Sequence, residues 1–128
     1  MSKSVLDASA LLAFLNKETR HERVGEAIAN YVMSAVNMSE TIAKLIEVGM
    51  PQKEIELVLA YLSCEVKSFE LEDAIATAKL RQLTRSLGLS LGDRACLALG
   101  VKLGLTVLTA DRAWSSLTLG IPIEIVRS

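Results

Sequence analysis

The chain has 128 residues, of which 14 are basic and 15 are acidic, for a formal net charge of −1. This length predicts one domain over residues 1–128, large enough to bury a core but too short for two. The near balance of charge excludes the whole-chain basic excess of many nucleic-acid binders, so local basic residues would have to steer any polyanion.

In the first part of the chain, short apolar segments alternate with amphipathic ones. In chain order, the pattern predicts a strand, two helices and a second strand, at 3–6, 8–15, 20–31 and 33–36. The opening segment does not read as a secretion signal, because Lys3 is followed almost at once by Asp7. We therefore expect a cytoplasmic protein.

A helical hairpin is predicted next. Its first helix, 39–48, carries Ile42, Leu45 and Ile46 on one face. Its second helix is opened by Pro51 and has an apolar face of Ile55, Val58, Leu59 and Leu62. The hydrophobic content of 51% and mean hydropathy of +0.37 are high, and the hairpin has more apolar surface than one sheet face can cover. We therefore expect a homodimer, with Leu45 and Leu59 in its interface.

The remaining segments complete an alternating pattern. They predict a strand at 65–68, a long helix at 71–86 that ends at Gly88, a helix from Asp93 to Gly104, and strands at 106–109 and 123–126. The apolar stretch 95–110 is too short to span a membrane and is interrupted by Lys102. The expected class is α/β, with a central parallel sheet of about four or five short strands flanked by helices on both faces.

Four acidic residues lie where an apolar segment gives way to a helix start: Asp7, Glu40, Asp93 and Asp111. If those segments are neighbouring strands of one parallel sheet, the turns after them gather along its carboxyl edge, where ligands bind. Such a carboxylate cluster repels itself and any phosphate unless it holds a hard cation, for which Mg²⁺ and Mn²⁺ are natural choices. The pattern therefore predicts metal-assisted phosphodiester hydrolysis.

Each acid also fits an ordinary structural role as a helix cap. The segments 37–40 and 90–93 resemble capping boxes, while Asp7 and Asp111 precede predicted helices. The two roles are compatible, because a helix N-terminus stabilises a nearby anion and helps to keep it ionised.

Other reactive side chains predict no rival centre. Cys64 and Cys96 form no CxxC pair and are interpreted as structural free thiols, and His21 lies in a polar stretch typical of a solvated helix start. No glycine-rich phosphate loop follows a strand, so no nucleotide cofactor is expected; the small residues Gly92 and Gly100 indicate close packing of a helix on the sheet.

Four segments occur in a fixed order: VLDASALL at 5–12, MSAVNMSE at 33–40, LSLGDRACLA at 89–98 and LTADRAW at 108–114. Together they resemble, over nearly the whole chain, a PIN-domain protein of the VapC toxin type. The resemblance implies a Mg²⁺-dependent endoribonuclease, usually the toxin half of a toxin–antitoxin pair that is restrained by a small antitoxin protein. It also implies that RNA is cleaved to leave a 5′-phosphate and a 3′-hydroxyl.

Carried across by residue, the resemblance implies an acidic quartet of Asp7, Glu40, Asp93 and Asp111, flanked by the hydroxyls of Ser9 and Thr109. Because no histidine or lysine base is evident, a bound ion must activate the attacking water. The principal metal ligands would be Asp7 and Asp93, with Mn²⁺ able to replace Mg²⁺. The number of ions, one or two, stays open.

For RNA contact, the candidates are Arg94 and Arg112, which each follow a site acid. The pair Arg81 and Arg85 shares a helix face and fits solvated charges equally well, and Trp114 is expected in the core. Three alternatives remain open: a housekeeping RNA-processing PIN nuclease, a metal-dependent phosphohydrolase on a small substrate, and a non-catalytic partner-binding scaffold.

Overall fold

A five-stranded parallel sheet forms the centre of the computed structural model, which describes residues 3–16, 30–62 and 64–126. The strands are β1 (Ser4–Leu6), β2 (Tyr31–Ser34), β3 (Glu65–Lys67), β4 (Thr106–Thr109) and β5 (Ile123–Ile125). Their order in the sheet is β3-β2-β1-β4-β5, and every neighbouring pair is parallel. The predicted α/β class and its parallel sheet are confirmed.

Five α-helices connect the strands in the described residues: α1 (Ala8–Leu15), α2 (Ala35–Glu47), α3 (Gln52–Leu62), α4 (Leu71–Leu83) and α5 (Leu91–Leu103). Two short 3-10 helices, Arg85–Leu87 and Arg112–Ser116, follow α4 and β4. None of the described helices is long and apolar enough to cross a membrane.

The alternation of side chains along the strands builds one core on each face of the sheet. One set packs with α1, α2 and α3, and consists of Leu6, Met33 and Leu108. The opposite set packs with α5 and consists of Val5, Val32 and Val107. All six are at most 1% exposed. Burial on both faces explains why these strands read as continuous apolar runs rather than as alternating ones.

The strand order places a switch point beside β1. From β1 the chain goes to β2 and then outward to β3, and it later returns to β4 on the other side of β1. In open parallel sheets, ligands bind in the crevice beyond the carboxyl ends of the strands at such a point. Asp7 directly follows β1, and Asp111 comes two residues after the end of β4.

Several predicted boundaries need correction. The predicted strand 33–36 is placed two residues too late, because β2 is Tyr31–Ser34 and the next two residues are already helical. The Ser34 hydroxyl accepts a hydrogen bond from the Val36 amide at 3.1 Å and so starts α2 four residues before the predicted position 39. The predicted helix 20–31 and His21 lie outside the described residues, apart from Asn30 and Tyr31; Tyr31 belongs to β2.

The hairpin of α2 and α3 packs largely as predicted. Its residues Ile55 and Leu62 are buried, and so is Leu45. Ile46, however, is 62% exposed and does not share the packed face. The predicted helix 71–86 ends as an α-helix at Leu83 and continues as a 3-10 turn to Gly88, whose φ of 61° is a left-handed conformation.

Candidate active site

All four predicted acids line one cavity of about 400 Å³ at the switch point. They come from four different parts of the chain: Asp7 follows β1, Glu40 lies in α2, Asp93 lies in α5 and Asp111 follows β4. The structure therefore brings together residues that are up to 104 positions apart in sequence.

The local settings of the acids differ from those expected. Only Asp7 and Asp111 follow strands, whereas Glu40 lies in the second turn of α2 and Asp93 in the first turn of α5. The expectation of four strand-to-helix junctions is thus wrong for Glu40 and Asp93. These two reach the cavity because α2 and α5 pack against each other across the carboxyl edge of the sheet.

Three of the acids do cap helices, as their alternative interpretation predicted. Asp7 Oδ1 accepts from the Ala10 amide at 2.8 Å, and Asp111 Oδ1 accepts from the Ala113 amide at 3.0 Å. Ser90 and Asp93 form a reciprocal capping box at the start of α5. The predicted box at 37–40 is wrong, because that segment lies inside α2.

Asp7 is the most buried of the acids, at 4% exposure. Besides the Ala10 amide, the Thr109 hydroxyl donates to its Oδ2 at 2.6 Å, and the Ser9 hydroxyl lies 2.8 and 2.9 Å from its two oxygens. The pKa of Asp7 is raised to about 6, chiefly by burial and in small part by the charge of Asp93, against the lowering effect of these hydrogen bonds. The folded protein therefore holds an incompletely compensated negative charge at this point.

The two predicted flanking hydroxyls bond to the site and not merely to their own backbone. Ser9 Oγ also accepts from the Ala110 amide at 2.9 Å, and Thr109 Oγ1 accepts from the Asp111 amide at 3.1 Å. Together they tie the start of α1 to the loop after β4. This network fixes the orientation of Asp7 and the position of the Asp111 backbone.

Two further residues at the site were not found from sequence: Asn37 and Gly92. The buried Asn37 amide donates to Glu40 Oε1 at 3.0 Å and to the Gly92 carbonyl at 2.9 Å. A β-carbon at Gly92 would overlap the Glu40 carboxylate, so the missing side chain makes room for Glu40. The packing role predicted for both glycines holds for Gly100, where a β-carbon would overlap Val107. For Asn37, its position one helical turn before Glu40 was the available signal.

The buried thiol of Cys96 lies close to three of the four acids. Cys96 is fully buried and free, and burial raises its pKa well above the usual value. Three separate carboxylates raise it further, those of Asp7, Asp93 and Glu40. A thiol held protonated in this way is inert, in agreement with the structural role predicted for it.

The two predicted RNA contacts, Arg94 and Arg112, do not line the acidic cavity but line two other pockets. Arg94 is half-buried and donates from Nη1 to the Thr77 carbonyl at 3.1 Å. Arg112 is exposed and lines another groove with Ser9 and Asp111. Trp114 is completely buried in the core, as expected.

The donor set matches a hard divalent cation in its chemistry. Its oxygens are mainly carboxylates, and among the described residues that line the cavity only Lys44 is basic; it pairs with Glu47 at 3.5 Å. Within the described part of the chain, no group of three or more His, Cys, Asp or Glu is arranged to hold an ion by itself. Mg²⁺ tolerates this, because it keeps several waters and usually takes one or two protein carboxylates directly.

A parallel sheet with acids gathered beside its central strands is the arrangement of a PIN domain. The PIN domain family matches residues 4–118, and the chain belongs to that family. The resemblance predicted from the four sequence segments is thereby confirmed. Membership of this nuclease family supports hydrolytic activity on nucleic acid. No curated protein matches the chain.

Solved structures share the fold over nearly its full length. The chain is similar to one in DNA-bound VapBC from Salmonella typhimurium, with 23% identity, a TM-score of 0.75 and coverage of 98% of this chain and 99% of the other. It is also similar to a chain of FitAcB from Neisseria gonorrhoeae, with 16% identity, a TM-score of 0.70 and coverage of 96% of this chain and 97% of the other. For a chain of VapBC-5 from Mycobacterium tuberculosis, the identity is 21%, the TM-score is 0.61 and the coverage is 100% of both chains. At such identities the likeness establishes the fold alone.

Proposed function

We propose that this protein is a Mg²⁺-dependent endoribonuclease and the toxin of a toxin–antitoxin pair. The observation that carries the proposal is the gathering of Asp7, Glu40, Asp93 and Asp111 around one cavity at the switch point of the sheet. Family membership supports a nuclease. Full-length similarity to chains from VapBC structures supports the toxin role.

The ion would be held chiefly by Asp7 and Asp93, with Glu40 and Asp111 completing the site directly or through water. When bound, Mg²⁺, or Mn²⁺ in its place, lowers the pKa of a water nucleophile and neutralises charge on the scissile phosphate.

The hydrogen bonds leave acceptor capacity for that role. Asp7 offers about four lone-pair sites and receives three donor protons, since the Ser9 hydroxyl carries only one. Asp93 uses Oδ2 to accept from the Ser90 amide, and Asp111 uses Oδ1 as a cap. The other oxygen of each has no hydrogen-bond donor among the described residues. The caps therefore orient these carboxylates without saturating them.

The partner is proposed to be a small antitoxin protein that covers the cavity. Leu12 and Ala43 give the cavity an apolar rim beside the acids. An amphipathic helix would pack on that rim, and an Arg on it would pair with the carboxylates in competition with the ion. The resemblance to chains in the VapBC structures supports this partner.

A homodimer through the hairpin is also part of the proposal. The exposed apolar side chains there are Ile46, Val48, Leu57 and Tyr61, at 62 to 79% exposure. Leu45 and Leu59 were expected in the interface, but Leu45 is buried and Leu59 packs against the core. A charged residue at either position would therefore damage the fold. Leu57→Glu and Tyr61→Glu should instead convert a dimer to a monomer in sedimentation without lowering thermal stability. A monomeric wild-type protein at micromolar concentration contradicts this part of the proposal.

Cleavage of defined RNAs tests the enzymatic proposal. The purified protein should cut RNA oligonucleotides with Mg²⁺ and stop in excess chelator, and Asp7→Asn should be inactive with its fold retained. Cutting that continues undiminished in chelator rules out the metal mechanism. No cutting of RNA under any condition favours the small-substrate phosphohydrolase or the scaffold.

Growth separates a toxin from a housekeeping nuclease. Expression of the wild-type chain should slow growth, Asp7→Asn should be harmless, and co-expression of the adjacent small reading frame should restore growth. If the wild-type chain cuts RNA in vitro but is innocuous at high expression, the RNA-processing role becomes the better account.

A further inference from the structure

A second cavity, of about 430 Å³, lies near the acidic one and has the opposite charge. Three arginines line it: Arg81 in the last turn of α4, Arg85 in the following 3-10 turn, and Arg94 in α5. We call it the arginine pocket. Arg81 and Arg85 are exposed, whereas Arg94 is half-buried and held by the Thr77 carbonyl.

None of the three arginines is paired with a carboxylate of the described residues. Four lysines of the described part of the chain do have such partners: Lys3, Lys44, Lys67 and Lys102. The Nε of Arg94 is buried and has no hydrogen-bond partner among the residues that the structure describes. In a chain with a net charge of −1, this is a local concentration of uncompensated positive charge.

A groove between the arginine pocket and the acidic cavity shares lining residues with both. Ser90 and Leu91 line both the arginine pocket and an adjoining groove, which Glu40 and Gly92 also line. Glu40 in turn lines the acidic cavity. One path therefore leads over the start of α5 from the three arginines to the four acids.

We propose that the arginine pocket binds a backbone phosphate of the RNA substrate, a few nucleotides from the scissile bond. This inference rests on the proposed function and extends it. The acids repel a polyanion, so cationic groups outside the acidic cavity must add to the contribution of the bound ion. The planar guanidinium suits this, because it bonds phosphate oxygens in a bidentate manner and stays charged. A fixed phosphate there would hold the strand along the groove as it enters the acidic cavity.

Binding of a single-stranded RNA oligonucleotide tests the inference. Asp7→Asn serves as the uncut parent, in Mg²⁺, with affinity followed by fluorescence anisotropy at several salt concentrations. Adding Arg81→Gln and Arg85→Gln should weaken binding about tenfold. It should also make the plot of log affinity against log salt less steep, by about 0.7 for each phosphate that the protein no longer neutralises. Lys53→Gln with Lys79→Gln is the matched control, because it removes two exposed charges that lie outside the pocket.

A second measurement locates the phosphate that the arginines bind. RNAs in which one phosphate at a time is replaced by an uncharged methylphosphonate should reveal a position that weakens binding to the parent but not to the double arginine variant. With the active protein, the arginine changes should lower kcat/KM on a long oligonucleotide and leave the shortest cleavable one unaffected.

The inference is overturned if the arginine variant binds as tightly as the parent, or if the lysine control weakens binding as much. In either case RNA binding by the parent leaves the proposed function standing. If the Asp7→Asn parent binds no RNA and the wild-type chain cuts no RNA, both the inference and the proposed function are wrong.

Discussion

At the scale of single residues, Asp7 shows that one side chain can serve the fold and the site together. It caps α1, yet burial raises its pKa to about 6, so its charge is costly in the folded state. A residue kept only for stability would carry no such cost, since Asn caps a helix as well as Asp does. The retained charge favours a functional role.

The pH dependence of stability tests this cost in chelator. The folded pKa of Asp7 is above its unfolded value of 3.8, so wild-type stability falls as pH rises from about 4 to about 6. Asp7→Asn removes that penalty. Above pH 6 its free energy of unfolding should therefore exceed that of wild type by up to about 3 kcal/mol, reduced by any hydrogen bond that Asn cannot make. The difference should vanish near pH 4 in denaturant titrations.

The control for that experiment has the opposite sign. The control residue is Asp73, whose pKa is lowered by a hydrogen bond from the Glu70 backbone amide and by its contact with Lys102. Asp73→Asn should therefore reduce stability at neutral pH, and the loss should fade as pH falls through the acidic range. A large loss of stability in Asp7→Asn at neutral pH would instead assign Asp7 to capping alone.

Gly92 allows the position of Glu40 to be tested separately from the fold. Gly92→Ala should maintain or raise thermal stability, because Ala is favoured by about 0.5–1 kcal/mol within a helix. The added methyl group would displace the Glu40 carboxylate, so RNA cleavage should fall. Gly104→Ala is the contrasting control: its φ of 65° should make the variant less stable with unchanged cleavage. Full activity in Gly92→Ala contradicts a role for Glu40.

At the scale of elements, the N-terminal ends of helices position three of the four acids. Asp7 and Asp111 are the N-caps of α1 and of the 3-10 helix Arg112–Ser116, and Asp93 lies in the first turn of α5; the carboxylate of each accepts a hydrogen bond from a backbone amide. The positive end of each helix stabilises these anions, so capping is compatible with the proposed ion binding. α2 delivers Glu40 differently, from its second turn, with Asn37 as the support.

Two substitutions at Asp111 separate its capping from its chemistry. Asp111→Asn should keep stability close to that of wild type, because Asn is as good a cap, while cleavage falls by about 100-fold or more. Asp111→Ala should lose cleavage equally and about 1 kcal/mol of stability in addition. Thermal melts and initial cleavage rates distinguish these outcomes. Substantial activity in Asp111→Asn would limit Asp111 to the cap.

At the scale of the whole molecule, the sheet order decides where the acids meet. Return of the chain to β4 beside β1 places Asp7 and Asp111 at neighbouring strand ends. Contact between α2 and α5 then adds the other two acids. The site therefore exists only in the folded chain, and ion binding should be coupled to global stability.

Ion binding should raise the unfolding temperature. At a free Mg²⁺ concentration ten times its Kd, the folded state should gain about 1.4 kcal/mol, with a similar response to Mn²⁺. Asp7→Asn and Asp93→Asn should respond less than wild type, whereas the remote Asp73→Asn should respond fully. Differential scanning calorimetry makes the comparison. Identical melting curves with and without either ion would contradict a metal site.

Much of this protein could be predicted from sequence because the determinants are local. Apolar runs and the glycines at 88 and 104 predicted the class and four of the five strands, and the acids that follow apolar segments gave the four carboxylates that line the cavity. The start of α2 was mispredicted, since the apolar run around Ala35 has no period that separates strand from helix.

Packing across the fold decided the rest. The hold of Asn37 on Glu40, the space left at Gly92 and the raised pKa of Asp7 depend on residues far apart in sequence. The arginine pocket itself likewise follows from the packing of α4 on α5. Sequence patterns record helix and strand periods, but burial and the direction of a side chain arise only when distant elements pack together.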